Sequence, residues 1–351
     1  MDIFVRDKRV GQGHKYKKCV STAVIDMADK HTYLVTGGAG FLGSHIVDKL
    51  MSAGNKVIVL DNLFTGCREN FAKWEGNPNF EFIEGDVCDP LCIHCERIYH
   101  LACPASPPHY QRDPTFTLMT CFVGTKNVLD LALRNNAKVV FTSTSEIYGD
   151  PQISPQTESY WGHVHCRGPR SCYDEGKRIA ETLCYEYLKK GVAVRTARLF
   201  NSFGPNMDPK DGRVVSNFLM QALRGEDLTI YGTGEQTRSF TYAEDTVNGL
   251  MALMESDYED PVNIGSTYEF TINEFAEKIR KLVNPNIKIV HLPATQDDPK
   301  QRRPDTSVAK EKLGWEVKHT LEEGLERTAE YFRKVVEKEN AAKEANSATD
   351  K

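Results

Sequence analysis

Tyr173 and Lys177 stand four residues apart in Tyr173-Asp174-Glu175-Gly176-Lys177, and the helical spacing continues through Ala180, Leu183 and Tyr187. Side chains four residues apart share one face of a helix. An ammonium beside a phenol favours the phenolate, which would bring a tyrosine from its ordinary pKa of about 10 towards one useful at neutral pH. Such a pair suits removal of a hydroxyl proton while the carbon beneath is oxidised. A tyrosine and a lysine at this spacing also occur by chance on solvated helix faces. Two further features set this pair apart: the hydroxyl of Thr144 in Thr142-Ser143-Thr144-Ser145-Glu146, and a glycine-rich stretch near the N-terminus.

That stretch is Thr36-Gly37-Gly38-Ala39-Gly40-Phe41-Leu42-Gly43-Ser44, which follows a β-rich run and precedes a helical one at 45–50. Glycines here permit a tight turn, close approach of backbone to a pyrophosphate and close helix-to-strand packing. The helix start, at Phe41 and Leu42, offers free N–H groups to the anion. Asp61, with Asn62 beside it, ends the second β-rich run 18 residues beyond Gly43. A carboxylate there accepts hydrogen bonds from a ribose diol and repels a 2′-phosphate, so the cofactor expected is NAD rather than NADP.

The elements that must position these groups follow from the alternation of β-rich runs with amphipathic stretches. Tyr33-Leu34-Val35-Thr36, Lys56-Val57-Ile58-Val59-Leu60, Phe80-Glu81-Phe82-Ile83, Arg97-Ile98-Tyr99-His100, Val139-Val140-Phe141-Thr142 and Val192-Ala193-Val194-Arg195-Thr196 are the strand candidates. They predict an α/β fold, a Rossmann-type doubly wound parallel sheet. After Asn201 the texture turns to short Gly/Pro-punctuated segments, read as a smaller mixed α/β substrate domain. The expected division is an N-terminal arm at 1–30, a dinucleotide domain at 31–200, a substrate domain at 201–340 and a disordered tail at 341–351.

Composition narrows the partners. A net charge of -5 excludes the one-sided basic field of a sequence-independent nucleic-acid binder, so placed arginines must meet any anion. No apolar run reaches the roughly 18 residues of a membrane-spanning helix, and 1–30 lacks the apolar core of a signal peptide. The expected compartment is cytoplasmic. The ten cysteines follow no framework spacing and read as reduced thiols. One cluster, Cys88, Cys92, His94 and Cys95, lacks the second ligand pair of a zinc ribbon, so no metal is expected.

The Gly37, Gly40, Gly43 spacing together with Thr144, Tyr173 and Lys177 resembles the extended short-chain dehydrogenases. The resemblance implies an acid near the adenine at Asp86 in Gly85-Asp86-Val87, and a segment under the cofactor at Tyr99-His100-Leu101-Ala102. It becomes more specific in Cys103-Pro104-Ala105-Ser106-Pro107-Pro108, Ser143-Thr144-Ser145-Glu146-Ile147-Tyr148-Gly149-Asp150-Pro151, Tyr160-Trp161-Gly162-His163-Val164, Arg170-Ser171-Cys172-Tyr173, Asp211-Gly212-Arg213-Val214-Val215 and Gln296-Asp297-Asp298-Pro299. Over about 33–337 the chain is similar to UDP-glucuronate decarboxylases.

That resemblance implies a reaction. Oxidation at carbon 4 of a sugar whose carbon 6 is a carboxylate makes a β-keto acid, which loses carbon dioxide; protonation at carbon 5 and return of the hydride give UDP-xylose, with NAD recycled. Dehydratases of this group carry an Asp-Glu pair where this chain has Ser145-Glu146, so the acid they use is missing. Tyr173, Lys177, Thr144, Ser145, Glu146 and Arg302 are implied as catalytic, with Glu146 and Arg302 also touching the sugar. Tyr110, Asn201, Arg213, Val215, Tyr231, Gln236, Arg238 and Tyr242 are implied in the UDP pocket, and a homodimer packed through the helix of Tyr173 is implied as well. A UDP-sugar 4-epimerase, or a decarboxylase that releases the 4-keto pentose, is the alternative. Two positions depart from the family: Cys103 stands where Ser is usual and Cys121 where Asn is common, both close to the expected cofactor.

Overall fold

The computed structural model describes residues 30–293 and 301–349. Its centre is a seven-stranded sheet of β1 (Thr32–Thr36), β2 (Lys56–Asp61), β3 (Phe80–Glu84), β4 (Arg97–His100), β5 (Lys138–Thr144), β6 (Val194–Leu199) and, from much later in the chain, a strand at Val262–Ile264. All neighbours pair in parallel, in the order β3-β2-β1-β4-β5-β6 followed by that late strand. Winding therefore reverses between β1 and β4, and a crevice opens beyond their carboxyl ends. Strands covered on both faces read as continuous apolar runs, as the Val57–Leu60 stretch does with every residue buried.

The covering helices come from α1 (Phe41–Ser52), α2 (Pro107–Arg112), α3 (Pro114–Met119), α4 (Thr125–Asn135) and α5 (Ser171–Leu188), with a π-helical turn at Thr120–Gly124 joining α3 to α4. On α5 the buried residues Tyr173, Gly176, Lys177, Ala180, Cys184 and Tyr187 form one stripe at helical spacing facing the sheet, with Asp174 buried beside Tyr173. The continuous helical stretch Pro114–Asn135 is long and, on average composition, apolar enough to cross a membrane, although Lys126 and Asp130 break it and no unbroken apolar run of that length is present in it. Half of it is buried in this protein, against α5, β4 and β5, as a core helix of the layer.

Beyond Leu199 the chain crosses between two layers more than once. Short strands β7 (Ser202–Phe203) and β10 (Thr241–Tyr242) pair with each other, as do β8 (Leu228–Tyr231) and β13 (Ile289–Leu292). The strand β9 (Thr237–Ser239) lies between β12 (Glu269–Thr271) and β14 (Gln301–Arg302). Helices α6 (Val214–Arg224), α8 (Ile272–Val283) and α10 (Leu321–Thr349) close a second core around Phe203, Phe218, Phe275 and Phe332. Helix α7 (Ala243–Glu255), strand β11 (Val262–Ile264) and helix α9 (Ser307–Leu313) instead return to the large sheet. The single boundary expected at 200 is thus replaced by an interleaved one, because a three-residue strand can join an existing edge without any long apolar signal. The tail expected to be disordered from 341 is helical as far as Thr349, since Ala, Glu and Lys there are strong helix formers. The expected arm at 1–30 lies, but for Lys30, outside the described residues.

Candidate active site

The crevice at the winding reversal is part of one cavity of about 1130 Å³. One small-molecule site occupies about 300–1,000 Å³, so this volume suits two ligands lying end to end. One arm is walled by the glycine loop, Asp61, Asn62, Asp86, Val87 and Leu101; the other by residues from α6, β8 and β9. Tyr173, Lys177, Thr144, Ser145 and Glu146 line the junction.

In the first arm the glycines are dictated by contact. A Cβ on Gly43 would lie 2.1 Å from the carbonyl oxygen of Gly37, and one on Gly37, whose φ is +72°, would lie 2.8 Å from the nitrogen of Ala102. Helix α1 starts at Gly40 with no side-chain cap, which leaves its first N–H groups for an anion. Asp61 is buried at the end of β2 and accepts from the N–H of Ala39 at 3.0 Å and of Leu63 at 2.8 Å. Burial raises its carboxyl above the usual range, although these donors oppose the rise. Asn62 donates to Asp86 at 2.8 Å, and the N–H of Cys88 fixes the other Asp86 oxygen at the same distance. A bare backbone cradle leading to a carboxylate fits NAD, which Gly37, Gly40, Phe41, Leu42 and Gly43 would hold at the pyrophosphate and Asp61 at the ribose.

At the junction β5 delivers Thr144, and the 3-10 turn Ser145–Tyr148 that follows presents Ser145 and Glu146. Thr144 hydrogen-bonds Tyr173 and accepts from the Glu146 N–H at 3.2 Å. Lys177 donates to the carbonyl oxygen of Thr142 at 2.8 Å, its nitrogen 5.9 Å from the centre of the Tyr173 ring. Burial, followed by the charge of Cys103, raises the Tyr173 phenol above its ordinary value, and the hydrogen bond with Thr144 opposes the rise. Tyr110 stacks on Tyr173 with centroids 5.4 Å apart and planes 8° from parallel, and its buried hydroxyl has no hydrogen-bond partner among the described residues.

Glu146 is gripped by two guanidiniums, Arg302 and Arg170. Burial alone would raise its carboxyl, but Arg302 and then Arg170 hold it at about 2. Arg302, only 3% exposed, also donates to the carbonyl oxygen of Gly149 at 3.1 Å. It arrives from β14, whose parallel register with β9 sets Arg302 beside Arg238. Asp174, next to Tyr173, is raised to about 7 by burial and then by the charge of Glu146, and its Oδ1 has no hydrogen-bond partner among the described residues.

Tyr110, Asn201, Arg213, Val215, Tyr231, Gln236, Arg238 and Arg302 all line the cavity. Arg213 forks onto Asp211 with contacts of 2.5 and 2.8 Å, and Gln236 donates to the Tyr231 carbonyl oxygen at 3.1 Å. Tyr242 does not belong with them. Its ring is packed edge-on to Phe203 and against His319, with Arg327 over it, inside the second core. Strand β10 turns that side chain inward, a direction sequence spacing does not give. The segment Gln296-Asp297-Asp298-Pro299 lies outside the described residues. Of the cysteine cluster, Cys95 is buried, 3.6 Å from the amide nitrogen of Asn135, while Cys92 is exposed. Among the lining residues with no role assigned from the sequence are Arg170, four residues before Asp174, and Tyr331 of α10, which packs beside the second core.

Comparison with known proteins is consistent with this arrangement. The family model described as GDP-mannose 4,6 dehydratase matches residues 34–328. UDP-glucuronic acid decarboxylase 1 of Xenopus tropicalis is 56% identical over 310 residues, which are 88% of this chain and 74% of that protein. Among solved structures, UDP-glucose 4-epimerase of Thermotoga maritima with UDP-glucose is 34% identical with a TM-score of 0.79, covering 87% of this chain and 99% of that one. The dTDP-glucose 4,6-dehydratase of Streptomyces venezuelae with NAD bound is 25% identical with a TM-score of 0.78, covering 86% and 97%. Identity above one half over 88% of the chain goes beyond a shared fold: the chain belongs to the GDP-mannose 4,6 dehydratase family and, within it, to the UDP-glucuronic acid decarboxylases.

Proposed function

We propose that this protein converts UDP-glucuronate to UDP-xylose and carbon dioxide, using NAD without net consumption. The observation that carries the reading is Arg302, a buried guanidinium beside Glu146 at the junction of the two arms, where the sugar of a UDP-sugar would meet the cofactor. When bound, NAD supplies the positively charged ring that takes two electrons from carbon 4 and later gives them back. Tyr173 takes the proton of the carbon-4 hydroxyl, with Thr144 orienting both oxygens. Lys177 stands over the Thr142 carbonyl, within reach of a ribose hydroxyl. The sugar carboxylate is drawn to Arg302 and competes with Glu146 for it. Once carbon 4 is a ketone, breaking the bond from carbon 5 to the carboxylate releases carbon dioxide and sends the electron pair towards the carbon-4 oxygen, where the Tyr173 phenol donates a hydrogen bond. Carbon 5 then gains a proton in place of the carboxylate. Arg213 and Arg238 suit the diphosphate, since guanidiniums form forked, charge-assisted bonds.

We further propose a cytoplasmic homodimer. The nine cysteines among the described residues are all free, which suits a reducing compartment. Leu118, Met119 and Ile179 expose apolar surface on α3 and α5, a surface suited to a second copy.

The test is to incubate protein with UDP-glucuronate and limiting NAD, following the sugar by mass and the cofactor by absorbance. A UDP-pentose with no lasting NADH is expected, and Tyr173→Phe should lower turnover by roughly 10²-fold or more. A keto pentose with accumulating NADH, or interconversion of UDP-glucose and UDP-galactose with UDP-glucuronate untouched, would overturn the reading.

A further inference from the structure

Two thiols that the proposed chemistry does not use meet at the floor of the cofactor arm. Cys103 follows Leu101-Ala102 after β4 and lines the cavity. Cys121 lies in the π-helical turn between α3 and α4, buried to 2% exposure and not among the cavity-lining residues. Their sulfurs are 3.3 Å apart. At rest Cys103 donates to the Pro104 carbonyl oxygen at 3.3 Å and accepts from Cys121. Cys121 is backed closely by α5, for a Cβ added at Gly176 would lie 3.0 Å from both its Cβ and its sulfur. The pair is therefore held together, with one sulfur reached from the cavity and the other shielded behind it.

We propose that Cys103 and Cys121 form an oxidisable dithiol, a site for modification by hydroperoxides whose disulfide weakens NAD binding. The sulfurs need to close by roughly 1.2 Å to reach the 2.03–2.05 Å of a disulfide. Burial works against ionisation of Cys103, but donation from Cys121 and the charge of Lys177 outweigh it and lower its pKa, while Cys121 is raised. Cys103 is thus the attacking sulfur. Its thiolate forms a bond to one peroxide oxygen as the O–O bond breaks, and the departing hydroxide takes the thiol proton to become water. Cys121 then attacks the sulfenic sulfur. The S–S bond forms, the S–O bond breaks, and the second hydroxide leaves as water with the Cys121 proton, so two thiols are oxidised and one peroxide is reduced to two waters.

The consequence follows from what each cysteine is attached to. Ala102, next to Cys103, packs against Gly37 of the pyrophosphate loop, and Cys121 abuts Gly176, next to Lys177. A disulfide draws the floor of the NAD arm towards the catalytic helix. The sulfur chemistry stands on this geometry alone; its effect on NAD rests on the cofactor arm assigned above.

The experiment treats the purified protein with hydrogen peroxide, with and without NAD, caps free thiols and maps peptides without reductant. Expected are a Cys103–Cys121 cross-link with loss of two hydrogens, slower cross-linking in the presence of NAD, and NAD binding weakened roughly tenfold or more until a thiol reductant restores it. Cys121→Ser should bind NAD as the unaltered protein does and keep that binding after peroxide. Over-oxidised Cys103 without a partner, a cross-link to Cys172 instead, undiminished peroxide sensitivity in Cys121→Ser, or unchanged NAD binding by the cross-linked protein would each overturn the proposal. No readout uses the sugar substrate, so failure of the decarboxylase reading would be seen separately.

Discussion

Glu146 sits between two guanidiniums, and its neighbour Asp174 is charged only with difficulty, so the two carboxyls contribute to stability with opposite signs. Glu146, held at about 2, adds stability that is fully present above the unfolded carboxylate range near 4 and is lost as pH falls through about 2. Asp174, raised to about 7, does the reverse: its penalty starts near pH 4, grows until about 7 and is constant above. Asp174→Asn should therefore melt above the unaltered protein at pH 8, by up to about 4 kcal/mol, with the gap closing as pH falls towards 4. Equal melting across that range would dismiss the assignment. Glu146→Gln should do the opposite at neutral pH, destabilising by about 3–5 kcal/mol because it strands the buried Arg302 and the half-buried Arg170. It should also lower turnover, and thermal melts beside single-turnover assays would check both. These carboxyls also mark how far the sequence can be read at this scale. Tyr173 and Lys177 were legible because their chemistry lies in local spacing, whereas Glu146 was legible only through the resemblance of the segment that carries it. Arg170 was not, because its bond to Glu146 spans 24 residues, and the inward turn of Tyr242 depends on what β10 packs against.

The glycine loop and the strands around it carry a different kind of information, that of close approach. Gly43→Ala puts a methyl 2.1 Å from the Gly37 carbonyl, a backbone atom that cannot swing away as a flexible side chain can. The loop must shift, and NAD affinity should fall by roughly tenfold or more with a lowered melting temperature. Calorimetric titration with NAD checks it, and unaltered affinity would show that the loop does not hold the pyrophosphate. Most of the early strands were legible as apolar-rich runs because the interior of a parallel sheet buries both faces, while the edge strand β3 reads as an alternation of Phe and Glu with no buried residue. The start of β6 was misplaced by two residues, since the N–H of Val192 is taken by the Tyr187 carbonyl at the end of α5 at 3.0 Å and the strand begins only at Val194. The later return of β11 to the sheet was not legible, because its partner β6 lies some 60 residues earlier and no pattern in Val262-Asn263-Ile264 names it.

On the scale of the whole molecule, α5 faces two ways. Its inner stripe carries Tyr173 and Lys177 into the cavity, while Ile179 is 41% exposed on its outer side and Leu118 and Met119 of the packed α3 expose 39% and 44%. An apolar face on the helix that positions the catalytic tyrosine is the surface expected to meet a second copy in the proposed homodimer. Ile179→Glu places a charge in that face without touching the cavity, so the fold and NAD binding should persist while the dimer weakens, by roughly tenfold or more for a charge that must be desolvated at the interface. Sedimentation over a range of protein concentrations measures this directly. A shift of Ile179→Glu towards monomer with an unchanged NAD isotherm is expected; an unaltered protein that is monomeric throughout, or a variant that dimerises just as well, would remove α5 from the interface. If turnover falls with the dimer while NAD binding holds, the partner is bracing the outer side of α5, and the position of Tyr173 depends on the assembly as well as on the sheet beneath it.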